Sequence, residues 1–544
     1  MNTTANHQNQ SNITQNLILL TILLAVFVVP SSISGTAIAL EFIAQSFSDT
    51  LQTPQMADYL SISTQNATFS ALLQWVVNSF NLCFATFTLI WGALADRFGA
   101  RKCLILGVLL YLIGSALSTL APNLLILDIA RGIAGLGGAS VFACGASILI
   151  KTFSEDKRAK AFALFGTTAG LGITLSPTIC GLLIDAFANV SIAGLEISTE
   201  HSWRSIFAFH FLVLFVVLAL SPVLPKDTQS IAQEAHKTPQ NPTESEFKAQ
   251  NPAQNKAFKK RFDTLGAILF IAFLFSFMLF ITRISEISSP FTLGILSLSI
   301  IAFITFALYE KHLHTKGAIP LLDFSTLGNA RFVGFTLVCV VAGFSFVVLL
   351  TYFPQFLQRV FGFSPAHSGV FMLFLTAPML FCPIIAGKIL AQAKSKNMPQ
   401  ILSLAMSLMM SLGTLALIVV VRCASDFNEI LGFGLIALVL FIVGVGMGLH
   451  AGAIDNLALS SVESSKSGFA AGVLNCFRLG SEAVGVALYG ALMALFSQIF
   501  THDFALNSIA QSQNLINAFS CTLGILGIFC IILTAILWRL LAQK

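Results

Sequence analysis

The sequence predicts an all-α fold, a polytopic membrane protein with about 14 transmembrane helices, and three observations carry that expectation. Of 544 residues, 56% are hydrophobic and only 10% charged, with a mean hydropathy of +0.85, a balance that leaves too little polar surface to clothe a water-soluble core. The apolar residues fall in blocks of roughly 20 or more, long enough to cross about 30 Å of hydrocarbon at about 1.5 Å rise per residue. All but six of the 29 lysines and arginines lie in alternate connections between those blocks, the bias by which cytoplasmic loops are recognised.

The blocks lie near 17–45, 70–95, 103–121, 124–150, 159–186, 205–224, 263–283, 290–309, 332–356, 366–390, 399–421, 429–456, 467–497 and 513–538. The six exceptions are Arg204, Arg283, Arg359 and Arg422 in the opposite connections, and Arg131 and Arg478 inside spans. An even number of spans puts both termini on one side, and the basic bias makes that side cytoplasmic. The expected location is the cell (cytoplasmic or inner) membrane. The first residues, MNTTANHQNQSNITQN, carry no Lys or Arg, and the apolar stretch after them is too long for a signal-peptide core, so no cleavage is expected.

Between the sixth and seventh spans the composition turns polar and rich in Gln, Asn and Pro, with no helical apolar stripe, which reads as a flexible cytoplasmic linker. The expected organisation is a six-helix bundle at 1–225, the linker at 226–262, two inserted helices at 263–325 and a second six-helix bundle at 326–544.

The formal charge of +5 resides in short loop clusters rather than on one face, so a nucleic-acid partner is not expected. The ten cysteines show no CxxC spacing and read as unpaired packing residues. No metal-ligand cluster, Walker loop or catalytic triad appears in the soluble loops, so neither an enzyme nor a cofactor is expected.

Three stretches carry more specific information. Gly92-Ala93-Leu94-Ala95-Asp96-Arg97-Phe98-Gly99-Ala100-Arg101-Lys102 joins the second and third spans. Its glycines allow a tight turn and close helix approach, while Asp96 can meet a helix N-terminus and Arg101 a carboxylate. Arg131-Gly132-Ile133-Ala134-Gly135-Leu136-Gly137-Gly138 lies in the fourth span, with Arg131 roughly 9 Å from the midplane, where a lone cation is expensive and normally faces a cavity or a carboxylate. The fifth span contains Gly172, Ser176, Pro177 and Gly181, small residues four apart around a proline that bends the helix. A bend there would seal the cytoplasmic half.

These stretches resemble motifs A, B and C of the major facilitator superfamily. The third marks antiporters within that superfamily, with Ser176 and Cys180 departing from its usual glycines. Gln74-Trp75-Val76-Val77-Asn78-Ser79, Trp203-Arg204-Ser205-Ile206-Phe207, Phe262-Asp263-Thr264-Leu265-Gly266 and Gln358-Arg359-Val360-Phe361-Gly362-Phe363-Ser364-Pro365 resemble its 14-helix drug:proton antiporter branch. The resemblance runs from about residue 17 to 538. It implies a major facilitator fold and a proton-coupled exporter of small amphiphiles working by alternating access, with motif A latching the two bundles on the cytoplasmic side. The implied coupling ion is the proton, and the implied partners are a small-molecule substrate and the lipid bilayer, with a periplasmic adaptor if the cell has two membranes. A transporter of one defined solute and a non-transporting receptor or assembly protein remain alternatives.

Where the branch commonly carries an Asp in the first helix, this chain has Ser32, and Glu41 stands in place of a proline. Glu41 either takes over the coupling role or sits at the membrane interface. Arg131 has Asp128 one turn away, either as a structural partner or beside a cavity. In the thirteenth span Arg478 and Glu482 are four apart and share a helix face. They read either as a coupling pair, in which proton and substrate compete for the arginine, or as a closed structural pair. His450 and Asp455, at an uncertain helix end, are weaker candidates that line the cytoplasmic mouth.

Overall fold

The computed structural model describes residues 2–48, 62–188, 190–192, 195–197, 201–225, 263–284, 287, 289–316, 328–392, 395, 397–423, 429–462, 467–500 and 508–542. The expected linker at 226–262 lies outside the described residues.

Each expected span falls on a helix. They are α1 (Asn2–Ser48), α2 (Ile62–Phe98), α3 (Ala100–Leu120), α4 (Leu124–Thr152), α5 (Glu155–Phe187), α6 (Arg204–Leu220), α7 (Thr264–Thr282) and α8 (Pro290–Thr315). They continue as α9 (Ala330–Phe361), α10 (Pro365–Ala391), α11 (Met398–Cys423), α12 (Glu429–Ser460), α13 (Ser467–Phe500) and α14 (Ser508–Ala542). Among the described residues, 13 helices are long and apolar enough to cross a membrane, and α2 covers the remaining apolar block at 70–95. Between α5 and α6 a small antiparallel hairpin pairs Val190–Ile192 with Leu195–Ile197.

Local chemistry sets several boundaries. Asn123 caps α4 by accepting from the Ile126 amide at 2.9 Å, and Asp263 caps α7 by accepting from the Gly266 amide at 2.8 Å, each satisfying a donor that the first helical turn leaves open. The α2–α3 turn needs Gly99 at φ 101°, and α9 ends on Gly362 at φ 67°, conformations that a Cβ would disfavour. In the middle of α9 the helix widens into a π turn over Gly343–Val347.

Two apolar cores organise the packing. One is drawn from α1–α6, including Ile22, Val29, Phe80, Tyr111, Val141 and Leu214, with Leu479 of α13 packed against it. The other fills α9–α14 and also takes in Ile38, Ile43 and Phe47 of α1, Val76 of α2, Cys180 and Ile184 of α5, and Trp203 and Phe207 around the start of α6. Those residues lie toward the side that the lysine and arginine count makes the outside. The first and last six helices are therefore joined chiefly there, through α5 on α10, α2 on α13 and α1 on α9. Helix α7 packs on α8 and touches α2 and α13. Much of α8 faces outward with large apolar side chains such as Leu298, Ile301 and Leu308, as a lipid-facing helix should.

Candidate functional site

Two arginines within the helix bundle anchor two polar centres. In the first, Arg131 on α4 is only 1% exposed. Its Nε donates to the Val76 carbonyl of α2 at 3.0 Å, Nη1 to the Ser32 hydroxyl of α1 at 2.6 Å, and Nη2 to the Ser32 carbonyl at 2.9 Å. The rings of Phe80 and Phe207 lie 4.5 and 5.4 Å from its guanidinium carbon. A cation removed from water is tolerated here because neutral oxygens and two aromatic faces replace its hydration. Ser32, where the resemblance implies a carboxylate, is thus the arginine's principal partner.

The expected Arg131–Asp128 pair is not made. Asp128 is buried and its Oδ1 has no hydrogen-bond partner. The two residues share a helix face, but the guanidinium extends across to α1 and α2 and leaves the carboxylate behind. Next to this centre, Ser31 Oγ is 3.0 Å from His210 Nε2, and the Tyr111 hydroxyl donates to the Val28 carbonyl at 3.1 Å. The polar layer therefore reaches α3 and α6. Sequence reading missed His210; a lone histidine inside an apolar span was the available signal. The glycines after Arg131 serve packing: a Cβ on Gly135 would come within 2.9 Å of the Phe80 backbone, and one on Gly137 within 2.9 Å of Tyr111 Cα.

The second centre lies among α9, α12 and α13. Arg478 makes a two-pronged ion pair with Asp455 of α12, Nη2 on Oδ1 and Nη1 on Oδ2 at 3.4 Å. This corrects the expected Arg478–Glu482 pair. Four residues apart put both on one face, but the guanidinium turns across the helix interface to Asp455. Glu482 has no ion-pair or hydrogen-bond partner among the described residues. Asp455, weighed as a weaker candidate, proves to be the arginine's counterion, and the side chains of Arg478 and Asp455 are 22% and 54% exposed, so this centre is open to solvent where the first is closed.

Cys339 of α9 lies behind the pair, with its Sγ 3.9 Å from Arg478 Nη2 and 3.4 Å from His450 Nε2. The Ser481 hydroxyl donates to the Arg478 carbonyl at 2.8 Å. The π turn of α9 abuts this stretch of α13: a Cβ on Gly343 would be 2.8 Å from the Glu482 amide nitrogen, and one on Gly485 would be 2.8 Å from the Gly343 carbonyl oxygen. Widened turns of this kind recur at functional sites.

Glu41 sits in an interface. It pairs with Arg359, joining the C-terminal ends of α1 and α9, and next to it Gln358 donates to the Ile38 carbonyl at 3.2 Å. In motif A, Gly99 forms the turn, Gly92 meets nothing within 4 Å, Arg97 and Lys102 are exposed and Arg101 is half-buried. The Asp96 side chain lies outside the described residues. In the fifth helix, Gly172 fits against α1, where a Cβ would be 2.7 Å from both the Phe27 carbonyl and the Pro30 ring. Ser176 and Pro177 are buried, and Gly181 meets Pro365 of α10. This contact joins the C-terminal part of α5 to the start of α10.

The family model of the Major Facilitator Superfamily matches residues 22–486. The multidrug resistance protein Stp of Mycobacterium tuberculosis is 26% identical over 430 residues, covering 78% of this chain and 69% of that protein. The quinolone resistance protein NorB of Staphylococcus aureus is 26% identical over 424 residues, covering 76% of this chain and 78% of NorB. Among solved structures, a bacterial homologue of the human lysosomal transporter Spinster, in an inward-facing and unoccupied conformation, superposes with a TM-score of 0.60 at 13% identity over 97% of both chains. A D-xylose–proton symporter does so with a TM-score of 0.56 at 13% identity, over 95% of this chain and 97% of that one. With the family model spanning most of its length and its helices folded as in these transporters, the chain is a membrane transporter, not an enzyme, and belongs to the major facilitator superfamily.

Proposed function

We propose that this chain is a proton-coupled exporter of small amphiphilic molecules in the cell membrane. It works by alternating access between α1–α6 and α9–α14, with α7–α8 as an inserted pair and both termini cytoplasmic. The observation that carries the proposal is the second polar centre, where Arg478 pairs with Asp455 while Glu482, four residues on, has no ion-pair partner among the described residues. With both carboxylates ionised, the site holds one more negative than positive charge, and a proton or a cationic amphiphile removes the excess. Because either occupant satisfies the same deficit, binding of one favours release of the other. That exclusion is what exchange requires.

The energetics suffice. One proton moving inward is worth about 2.3 kcal/mol per 100 mV of membrane potential. At about 1.4 kcal/mol per factor of ten, that sustains roughly a 50-fold outward gradient of a neutral solute before any pH difference is added. The named relatives, a multidrug and a quinolone resistance protein, support export rather than uptake.

The test is flux in proteoliposomes with an imposed pH gradient and a panel of cationic and neutral amphiphiles. Uncoupler-sensitive movement of several members is expected. Movement of a single solute would narrow the protein to a dedicated transporter, and no movement under any imposed gradient would end the proposal.

A further inference from the structure

We infer that the groove between α11 and α14 binds one anionic phospholipid, whose phosphate pairs with Arg422 and one of whose acyl chains lies beside Gly524. The site shares no residue with either arginine centre, and it stands whether or not the chain exports amphiphiles.

The groove encloses about 300 Å³ and is lined by Ile418, Val419, Arg422 and Cys423 of α11 and by Ser520 and Cys521 of α14. Its one charged residue is held in place from the facing helix. Ser520 gives its hydroxyl proton to the Ile516 carbonyl at 2.7 Å, which leaves its oxygen to accept from Arg422 Nε at 3.1 Å. Asn517 Oδ1 accepts from Nη2 at 3.3 Å. An arginine that only reached for water would need no such tether. Two neutral acceptors fix the direction of the guanidinium without cancelling its charge, and no carboxylate among the described residues pairs with it. Nη1 makes no hydrogen bond among the described residues, so the planar fork keeps donors for a phosphate.

The other arginines of the sparsely basic connections are committed differently. Arg204 donates to the Thr119 and Ala121 carbonyls at 2.6 and 2.9 Å, Arg359 pairs with Glu41, and Arg283 lies against the Phe291 ring.

Depth selects a lipid over a soluble anion. Arg422 lies 12 residues beyond the midpoint of the apolar block 399–421. On a helix that is about 18 Å from the midplane, where half of the hydrocarbon measures about 15 Å. The guanidinium therefore stands at the level of phospholipid phosphates. Toward the membrane interior the groove is apolar, with Ile418 and Val419 on α11. Gly524, one turn along α14 from Ser520, adds no side chain: a Cβ there would lie 3.9 Å from Ile418 Cδ1, its nearest neighbour. Exposed Ile525 and Ile528 continue the apolar surface. A tethered cation above a hydrocarbon furrow matches the two ends of a phospholipid, and basic pockets between spanning helices are sites for such headgroups.

The experiment uses the full chain purified in a neutral detergent and titrated with dioleoylphosphatidylglycerol, with bound lipid counted by native mass spectrometry. One lipid per chain is expected to bind first. R422Q should weaken that binding about tenfold, whereas K316Q, which removes an exposed cation at the end of α8, should leave it unchanged. Dioleoylglycerol, which has the chains and no phosphate, should bind about tenfold less well than the phospholipid. Glycerol phosphate, which has the phosphate and no chains, should not displace it. Equal binding by the wild type and R422Q, an equal loss in K316Q, equal binding of dioleoylglycerol, or displacement by glycerol phosphate would each overturn the site.

A second measurement needs no substitution. Cys423 and Cys521 are free thiols in the wall of the groove, so saturating phosphatidylglycerol should slow their alkylation by a maleimide severalfold, read peptide by peptide. Unchanged alkylation of the wild type would overturn the site even if R422Q failed to fold.

Discussion

The two intramembrane arginines occupy opposite environments. Arg131 is closed in by α1, α2, α4 and α6, its three donor groups are taken by neutral oxygens, and no carboxylate among the described residues pairs with it. Arg478 stands at a partly open site with one carboxylate bound and a second close by in sequence. A cation whose every bond is to the scaffold can only hold helices together. A cation with more negative partners than it can satisfy can exchange one for another. Charge inside a membrane therefore marks a working site by the count of its counterions and its access to water, not by burial alone.

Substitution of the arginines themselves should separate the two centres most strongly. R478A should retain a folded helical protein but lose coupled transport by on the order of 100-fold or more. R131A leaves Ser32 and Val76 without their donor and should lower thermal stability by roughly 5 °C or more, measured by unfolding in detergent. Equal loss of folding in both would erase the distinction.

Next in size is D455N. It frees Arg478 to engage Glu482, so substrate should still bind while proton-driven accumulation falls about tenfold or more. Unchanged accumulation against a pH gradient would show that Asp455 is only structural.

S32D restores to the first centre the carboxylate that the resemblance implies, against an arginine nitrogen now 2.6 Å from the serine hydroxyl. Folding should be retained, and the pH–flux profile should gain a second titrating step; an unaltered profile would mean that the first centre stays sealed throughout the cycle. The smallest effect belongs to E41Q. The Glu41–Arg359 pair is partly exposed, and such pairs contribute little, so flux should change roughly threefold or less.

Much of the fold could be read in advance because a bilayer imposes a length on every apolar helix, and all fourteen blocks found their helices. The two arginines were equally visible, since each interrupts such a block. Their partners were not. Helical spacing proposes neighbours on the same helix, Asp128 for Arg131 and Glu482 for Arg478, whereas the bonds run to Ser32 and Asp455 on other helices. Which helix faces lie together is decided by packing over distances that a local pattern does not encode. Asp455 was discounted because the end of its helix was uncertain.

The most direct test of the central claim is proton release when substrate binds. Purified protein in weakly buffered detergent solution, titrated with a cationic amphiphile that the wild type transports, should release protons in proportion to binding, and D455N/E482Q should bind without release. Binding to the wild type with no proton released, or equal release by the double variant, would contradict exchange at the Arg478 centre.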